Sequence, residues 1–213
     1  MLPLLLARGR GVETTRKSAS VPLMPAHDPD AADIAIVQVL PGLGLCPRLL
    51  AQVEAIFFEA SGRTLTPGAE REAFRERWLG RYLSGGSDVV LLALEGSDRV
   101  AGYLVGALEN PAEQPRFADI RYLHTDFAEL CRRFPAHLHI NLAPAFRCKG
   151  IGGRLIEAFA IRAAAAHAPG MHVVTGEGMR NVGFYLRRGF LQRACAHWNG
   201  HMVVFLAWEL RRP

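Results

Sequence analysis

Arg147, Cys148, Lys149, Gly150, Ile151, Gly152 and Gly153 set two cations and three glycines between a short apolar stretch and a long one. The spacing predicts a strand, then a loop, then the first turn of a helix reaching about Ala168. A helix start leaves its first N–H groups without partners and carries partial positive charge, and glycine lets an anion come close to the main chain. Arg147 and Lys149 add full charges beside it. The chemistry such a cluster performs is anion binding, and the ligand expected is a phosphate-bearing cofactor. Just upstream, Leu138, Ile140 and Leu142 alternate with His137, His139 and Asn141, so the three polar side chains share one face of the strand. Of these, His139 titrates in the range useful for proton transfer.

Three glycine-loop classes compete for this segment. A P-loop needs Gly-Lys-Ser or Gly-Lys-Thr, and neither occurs in the chain. A dinucleotide fold needs G-x-G-x-x-G with an acidic residue about 20 positions on, whereas the glycines here read G-x-G-G. The spacing Arg147-x-x-Gly150-x-Gly152 instead resembles the coenzyme A pyrophosphate loop of the GNAT acetyltransferases. A second segment, Asn181-Val182-Gly183-Phe184-Tyr185-Leu186-Arg187-Arg188-Gly189-Phe190, resembles that family's helix after the fifth strand. There a tyrosine stands four residues before a Gly-Phe turn, as Tyr185 does here, and Gly189 suits the position just past a helix end. The chain departs from the pattern at Gly178, where family members often place an asparagine; the nearest one is Asn181. The resemblance extends over residues 33–213. Within the family, Phe134 to Leu142 is similar to the acetyltransferase-like domain at the C-terminal end of eukaryotic O-GlcNAcase.

This resemblance implies an α+β fold, a mixed and mostly antiparallel sheet flanked by helices, with the strand, pyrophosphate loop and helix at its centre. It implies acetyl-CoA as the cofactor, CoA as the product, and direct transfer of the acetyl group to a primary amine of a small molecule or protein. Asn141, Leu142 and Ala143 are then expected to offer unpaired main-chain groups to the pantetheine amides, as in the family's splayed strand pair. Arg147, Cys148, Lys149, Gly150, Ile151, Gly152, Gly153 and Arg154 are expected to hold the pyrophosphate, with Asn181 and Tyr185 also touching the cofactor. Tyr185, a phenol protonated at neutral pH, is the candidate acid for the leaving thiolate. His139, Glu177 and a water chain are alternative bases for the amine proton. The Cys148 thiol, beside two cations, is expected to react readily if exposed.

The remaining residues bound these readings. A chain of 213 residues with half of them apolar is expected to form one domain, at 33–213, behind a poorly ordered tail at 1–32 that includes a possible second start at Met24. The formal charge is +5, and of the 25 basic residues only Lys17 and Lys149 are lysine. Acidic residues are interspersed and no adjacent basic run exceeds a pair, so nucleic acid is the weaker reading. No uninterrupted apolar run is long enough for a membrane span. Cys46, Cys131, Cys148 and Cys195 form no C-x-x-C pair and read as reduced thiols of a cytoplasmic protein. His124, His167, His172, His197 and His201 lack metal-ligand spacing, and no metal is expected. Trp78, Trp198 and Trp208 read as core or cleft aromatics. A homodimer is allowed by the sequence. The reading from another class is a catalytically silent module that keeps the acyl-CoA loop without the chemistry.

Periodicity orders the elements. Strands are expected at 33–40, 88–95, 100–109, 171–175, 191–197 and 202–210, around the central one. Helices are expected at 47–60, 67–83 and 181–188, with mixed helical character at 119–133.

Overall fold

Residues 88–107 form the centre of the molecule because their apolar runs are nearly continuous. The computed structural model describes residues 34–40, 43–83 and 88–210; the expected N-terminal tail lies outside them. Strands β2 (Asp88–Glu95) and β3 (Arg99–Ala107) are buried over almost their full length, as strands covered on both faces must be. They pair antiparallel across a turn that starts at Gly96, whose φ of 62° suits glycine. β1 (Ile34–Val39) pairs antiparallel with β2, and β4 (Ala136–Leu142) does so with β3. β5 (Gly170–Gly176), β6 (Leu191–Trp198) and β7 (His201–Glu209) complete, among the described residues, a sheet of seven strands in the order β1-β2-β3-β4-β5-β7-β6. The β6–β7 hairpin turns on Asn199 and Gly200, with φ of 49° and 78°, the pair of left-handed positions that a two-residue turn demands. β6 carries a bulge between Gln192 and Ala194, where Arg193 reaches Glu209.

One parallel contact joins the two halves. β4 and β5 pair only through Ala136–Met171 and His137–His172. Beyond His137, β4 follows β3 and β5 follows β7, so the sheet splits open at its middle.

Helices cover both faces. α1 (Pro47–Ser61) begins with proline at its first turn and ends at Gly62 in the left-handed region. The single helix expected at 67–83 is instead α2 (Ala69–Arg75), a π turn over Glu76–Gly80, and α3 (Arg81–Leu83). The extra residue in that turn leaves Leu79 and Tyr82 both buried in the core while Arg77 and Arg81 both reach Asp119, at 2.6 and 2.9 Å. The mixed stretch resolves into α4 (Arg121–His124) and α5 (Ala128–Arg133), interrupted where the Thr125 hydroxyl donates back to the Arg121 carbonyl. These elements share one core with Val53, Phe57, Tyr103 and Phe205. The opposite face holds α6 (Ile151–Ala165) and α7 (Arg180–Arg187), packed on Leu91, Leu104, Leu138 and Val173. α6 stops at Ala165, short of the expected Ala168, and His167 follows in a left-handed conformation. No helix among the described residues is long and apolar enough to cross a membrane.

Gly106 marks where β3, β4 and α6 meet most closely. A Cβ there would stand 2.4 Å from the His137 carbonyl oxygen and 2.7 Å from the Phe159 ring. Gly106→Ala is therefore expected to destabilise the protein by about 1–3 kcal/mol, the usual cost of overpacking. Urea unfolding checks this; an unchanged midpoint would refute the close approach.

Candidate active site

The loop between β4 and α6 is shaped to leave main-chain donors free. After a single 3₁₀ turn over Pro144–Phe146, which buries the Phe146 ring, Cys148 and Gly150 take φ of 63° and 76°. The Gly150 carbonyl then accepts from the N–H groups of Gly153 and Arg154, at 3.0 and 3.3 Å, and closes the first turn of α6. The N–H groups of Cys148, Gly150, Ile151 and Gly152 make no main-chain hydrogen bond of ordinary geometry among the described residues, while that of Lys149 closes a turn around Arg147 and Cys148. Free donors at a helix start are the arrangement that suits an anion. Arg147 is tethered beside it, its Nε donating to the Leu142 carbonyl at 3.1 Å. The Lys149 ammonium and the Arg99 guanidinium lie over the Phe146 ring. Arg154 contributes its main chain here, while its guanidinium donates to the Ile34 carbonyl on β1.

Gly152 and Gly153 also serve a purpose that spacing does not reveal. A Cβ on Gly152 would stand 3.0 Å from the Phe184 ring, and one on Gly153 would fall 2.2 Å from the Arg188 guanidinium carbon. Both glycines thus let α7 and the turn after it lie directly on the start of α6. Arg188, not singled out from sequence, is thereby placed beside the loop, with Glu157 at 3.6 Å.

The open side of the split sheet lies next to this loop. From Leu138 on, the edge of β4 that faces β5 has no ladder partner. The expectation of free main-chain groups from Asn141 to Ala143 needs correction at its end. The Ala143 N–H donates to the Ala101 carbonyl at 3.0 Å, because pairing with β3 outlasts the strand by one residue, and the Leu142 carbonyl is taken by Arg147. The Asn141 side chain donates to the Tyr103 hydroxyl at 2.8 Å.

A cavity of about 20 Å³ lies at the split, lined among others by Trp78, Tyr82, Tyr122, His137, His139 and His172. That volume is the room of a single water. The Tyr82 hydroxyl lies 3.1 Å from Nε2 of His137 and 3.1 Å from Nε2 of His139. His172 stacks on Phe205 and donates from Nδ1 to the Phe134 carbonyl. Trp78 meets His139 and Trp198 edge-on, and Trp198 meets Tyr122 in the same way. Burial disfavours the charged imidazoles: His139 and His172 are pushed down to about 4, and His137 well below its usual value. All three are neutral at pH 7. Tyr82, Trp78 and His172 were not picked from sequence as site residues; only contact across the fold unites them.

Tyr185 sits inside α7, buried and edge-on to Phe184 and Phe190. Burial raises its pKa, so it keeps its proton, and nothing among the described residues hydrogen-bonds its hydroxyl. Asn181 accepts from the Thr175 hydroxyl at 3.0 Å and so ties the end of β5 to α7. Glu177 lies on the turn after β5, its N–H donating to the Met202 carbonyl and its carboxylate exposed. It is not brought together with the histidines lining the cavity. No cluster able to hold a metal occurs among the described residues.

The sequence profile of the acetyltransferase (GNAT) family matches residues 50–190, and the chain belongs to that family. Its fold is similar to the crystal structure of SsHAT, with a TM-score of 0.62 at 20% identity over 84% of this chain and 99% of that one. A Desulfovibrio desulfuricans protein assigned to the GNAT acetyltransferases gives 0.58 at 18% identity, over 84% and 99% of the two chains. An N-acetyltransferase from Staphylococcus aureus Mu50 gives 0.54 at 14%, over 84% and 100%.

The buried neutral histidines make stability depend on pH. His172 holds a folded pKa of about 4 against an ordinary 6.5. Between these values the unfolded chain binds the proton and the folded one does not, so stability is lost as pH falls from about 6.5 towards 4. The expected loss from His172 alone is about 3 kcal/mol across the window. Urea midpoints of wild type and His172→Phe, compared at pH 7.5 and 4.5, check this; parallel losses in both proteins would refute it.

Proposed function

We propose that the protein is an acetyl-CoA-dependent N-acetyltransferase, moving an acetyl group from coenzyme A directly to a primary amine of a small molecule or protein. The observation that carries this reading is the group of N–H donors at Cys148, Gly150, Ile151 and Gly152 without main-chain acceptors of ordinary geometry, beside the split between β4 and β5. These donors, with Arg147 and Lys149, suit the pyrophosphate, and the unpaired edge of β4 near Asn141 and Leu142 suits the amides of the arm. When bound, acetyl-CoA supplies an activated thioester. Tyr185 holds a proton at its hydroxyl for the leaving sulfur. His139, neutral at pH 7 and half-buried at the cavity, accepts the proton of the attacking amine.

The acceptor's chemistry follows from the lining. Trp78, Tyr82, Tyr122, Ile120 and Leu123 are uncharged, and Arg77 and Arg81 are already paired with Asp119. An amine carried on an apolar or aromatic body fits this wall better than a polycation does. A thiol-release screen against arylalkyl amines, polyamines, amino sugars, amino acids and peptides tests the reading. Tight CoA binding without thiol release from any acceptor would leave the silent-module reading instead.

Two outcomes are expected at named residues. Tyr185→Phe keeps the ring in its aromatic seat but removes the proton, so acetyl-CoA binding persists while kcat falls by roughly 10²–10⁴-fold. Wild-type turnover in that variant would remove Tyr185 from the chemistry. Cys148 is exposed, and bound CoA is expected to shield it from alkylation. Equal labelling by mass spectrometry with and without CoA would place the cofactor elsewhere.

A further inference from the structure

We infer that the acceptor is a weakly basic amine, uncharged at neutral pH, whose amino group enters the cavity at the split with no proton to shed before it attacks. Aryl amines and alkoxyamines are of this class. The inference rests on the proposed transfer to an amine and names which amines the site takes.

The cavity has room for about one water, and so for an amino group rather than for the body that carries it. Trp78 and Trp198 are only half-buried, and that body can rest on what they expose. Every element around the cavity turns an uncharged side chain to it. The π turn and α3 contribute Trp78 and Tyr82, α4 contributes Tyr122, β4 contributes His137 and His139, and β5 contributes His172; the rest of the lining is aliphatic. No carboxylate belongs to it among the described residues. An ammonium placed there would lack a counter-charge, and taking one out of water without a partner is costly.

The groups behind this wall add to the cost. The guanidinium groups of Arg81 and Arg116 lie over the Phe117 ring, at 5.4 and 4.8 Å, and Phe117 meets His137 edge-on at 4.9 Å. The carboxylates beside them are already engaged, Asp119 by Arg77 and Arg81, and Asp88 by Arg116. The imidazoles register this environment. Burial holds His139 and His137 uncharged, and Arg81 and Arg116 respectively add repulsion. A cationic nitrogen in the same space would meet both effects. Ring faces can attract a cation, but His139, Trp78, Trp198 and Tyr122 meet edge-on in a chain, each contact covering one face with a neighbour's edge.

For an uncharged amine the step balances without prior deprotonation. The amine nitrogen bonds to the thioester carbon as the carbon–sulfur bond breaks. It gives one proton to His139, and Tyr185 gives one to the sulfur, so amide and thiol result. Exchange with water restores both side chains.

Two probes of nearly one shape test this by calorimetry on protein saturated with CoA. O-benzylhydroxylamine is uncharged at pH 7, whereas 2-phenylethylamine is protonated. The first is expected to bind roughly tenfold or more tightly at pH 7. The affinity of the second is expected to rise about tenfold per pH unit between pH 7 and 8.5, in step with its free base, while that of the first stays level. No lining group interferes in that interval, because burial raises Tyr82 and Tyr122 and lowers the three histidines. Val174→Asp, which sets a carboxylate in the wall, is expected to bring the two affinities together at pH 7. Tighter binding of 2-phenylethylamine at pH 7, a level affinity for it across the interval, or no binding of either probe overturns the inference, even if the variant does not fold. Binding in the expected order without thiol release supports the inference while counting against acetyl transfer, so the two are told apart.

Discussion

Two residue pairs of parallel sheet hold this molecule together at its centre, and both halves are organised around how soon that contact ends. Ala136 with Met171 and His137 with His172 join β4 to β5; one residue later the strands part. Parallel pairing requires a crossover on one face, and α6 provides it, which sets the start of that helix beside the split. A sheet interior normally avoids an unpaired edge, and here one runs from Leu138 along β4. His137 and His172, the last pair before the split, are kept neutral by burial, so the junction does not place charge in the core.

The start of α6 joins two demands in the same residues. Gly150 needs a left-handed backbone to close the first turn, and Gly152 and Gly153 need small side chains so that Phe184 and Arg188 can lie against them. Close packing thus sets Phe184, the neighbour of Tyr185 on α7, against the start of α6. A larger residue at either glycine would press on Phe184 or Arg188 and so shift the start of α6 and α7 together.

Much of this was legible in the sequence because the signals are local. Alternating residues in β4, apolar runs in β2 and β3, and the glycine cluster at α6 each declare their conformation within about ten residues, as does the Tyr185 to Gly189 spacing. What escaped depends on contacts between distant segments. The π turn forms because Leu79 and Tyr82 both have places in the core while Arg77 and Arg81 share Asp119, and helix periodicity in 67–83 carries no trace of that. Tyr82 lies 55 residues from His137, and nothing near either one announces the other. Glu177 and His139 looked alike as candidate bases; burial separates them, since one lies exposed on a turn and the other against Trp78 and Tyr82. Ala143 was expected to be free because a strand's end is visible in sequence, whereas how far its neighbour's pairing continues is not.

The bulge in β6 bears on how copies of the chain can meet. β6 is the outermost strand of its half, and an outermost strand ordinarily offers its vacant donors and acceptors to any passing strand. Here one residue stands out of step between Gln192 and Ala194, and the Arg193 guanidinium crosses to Glu209 at that point. A second strand laid along β6 would lose register at the interruption. That margin is therefore a poorer template for a further strand than a regular outer strand would be.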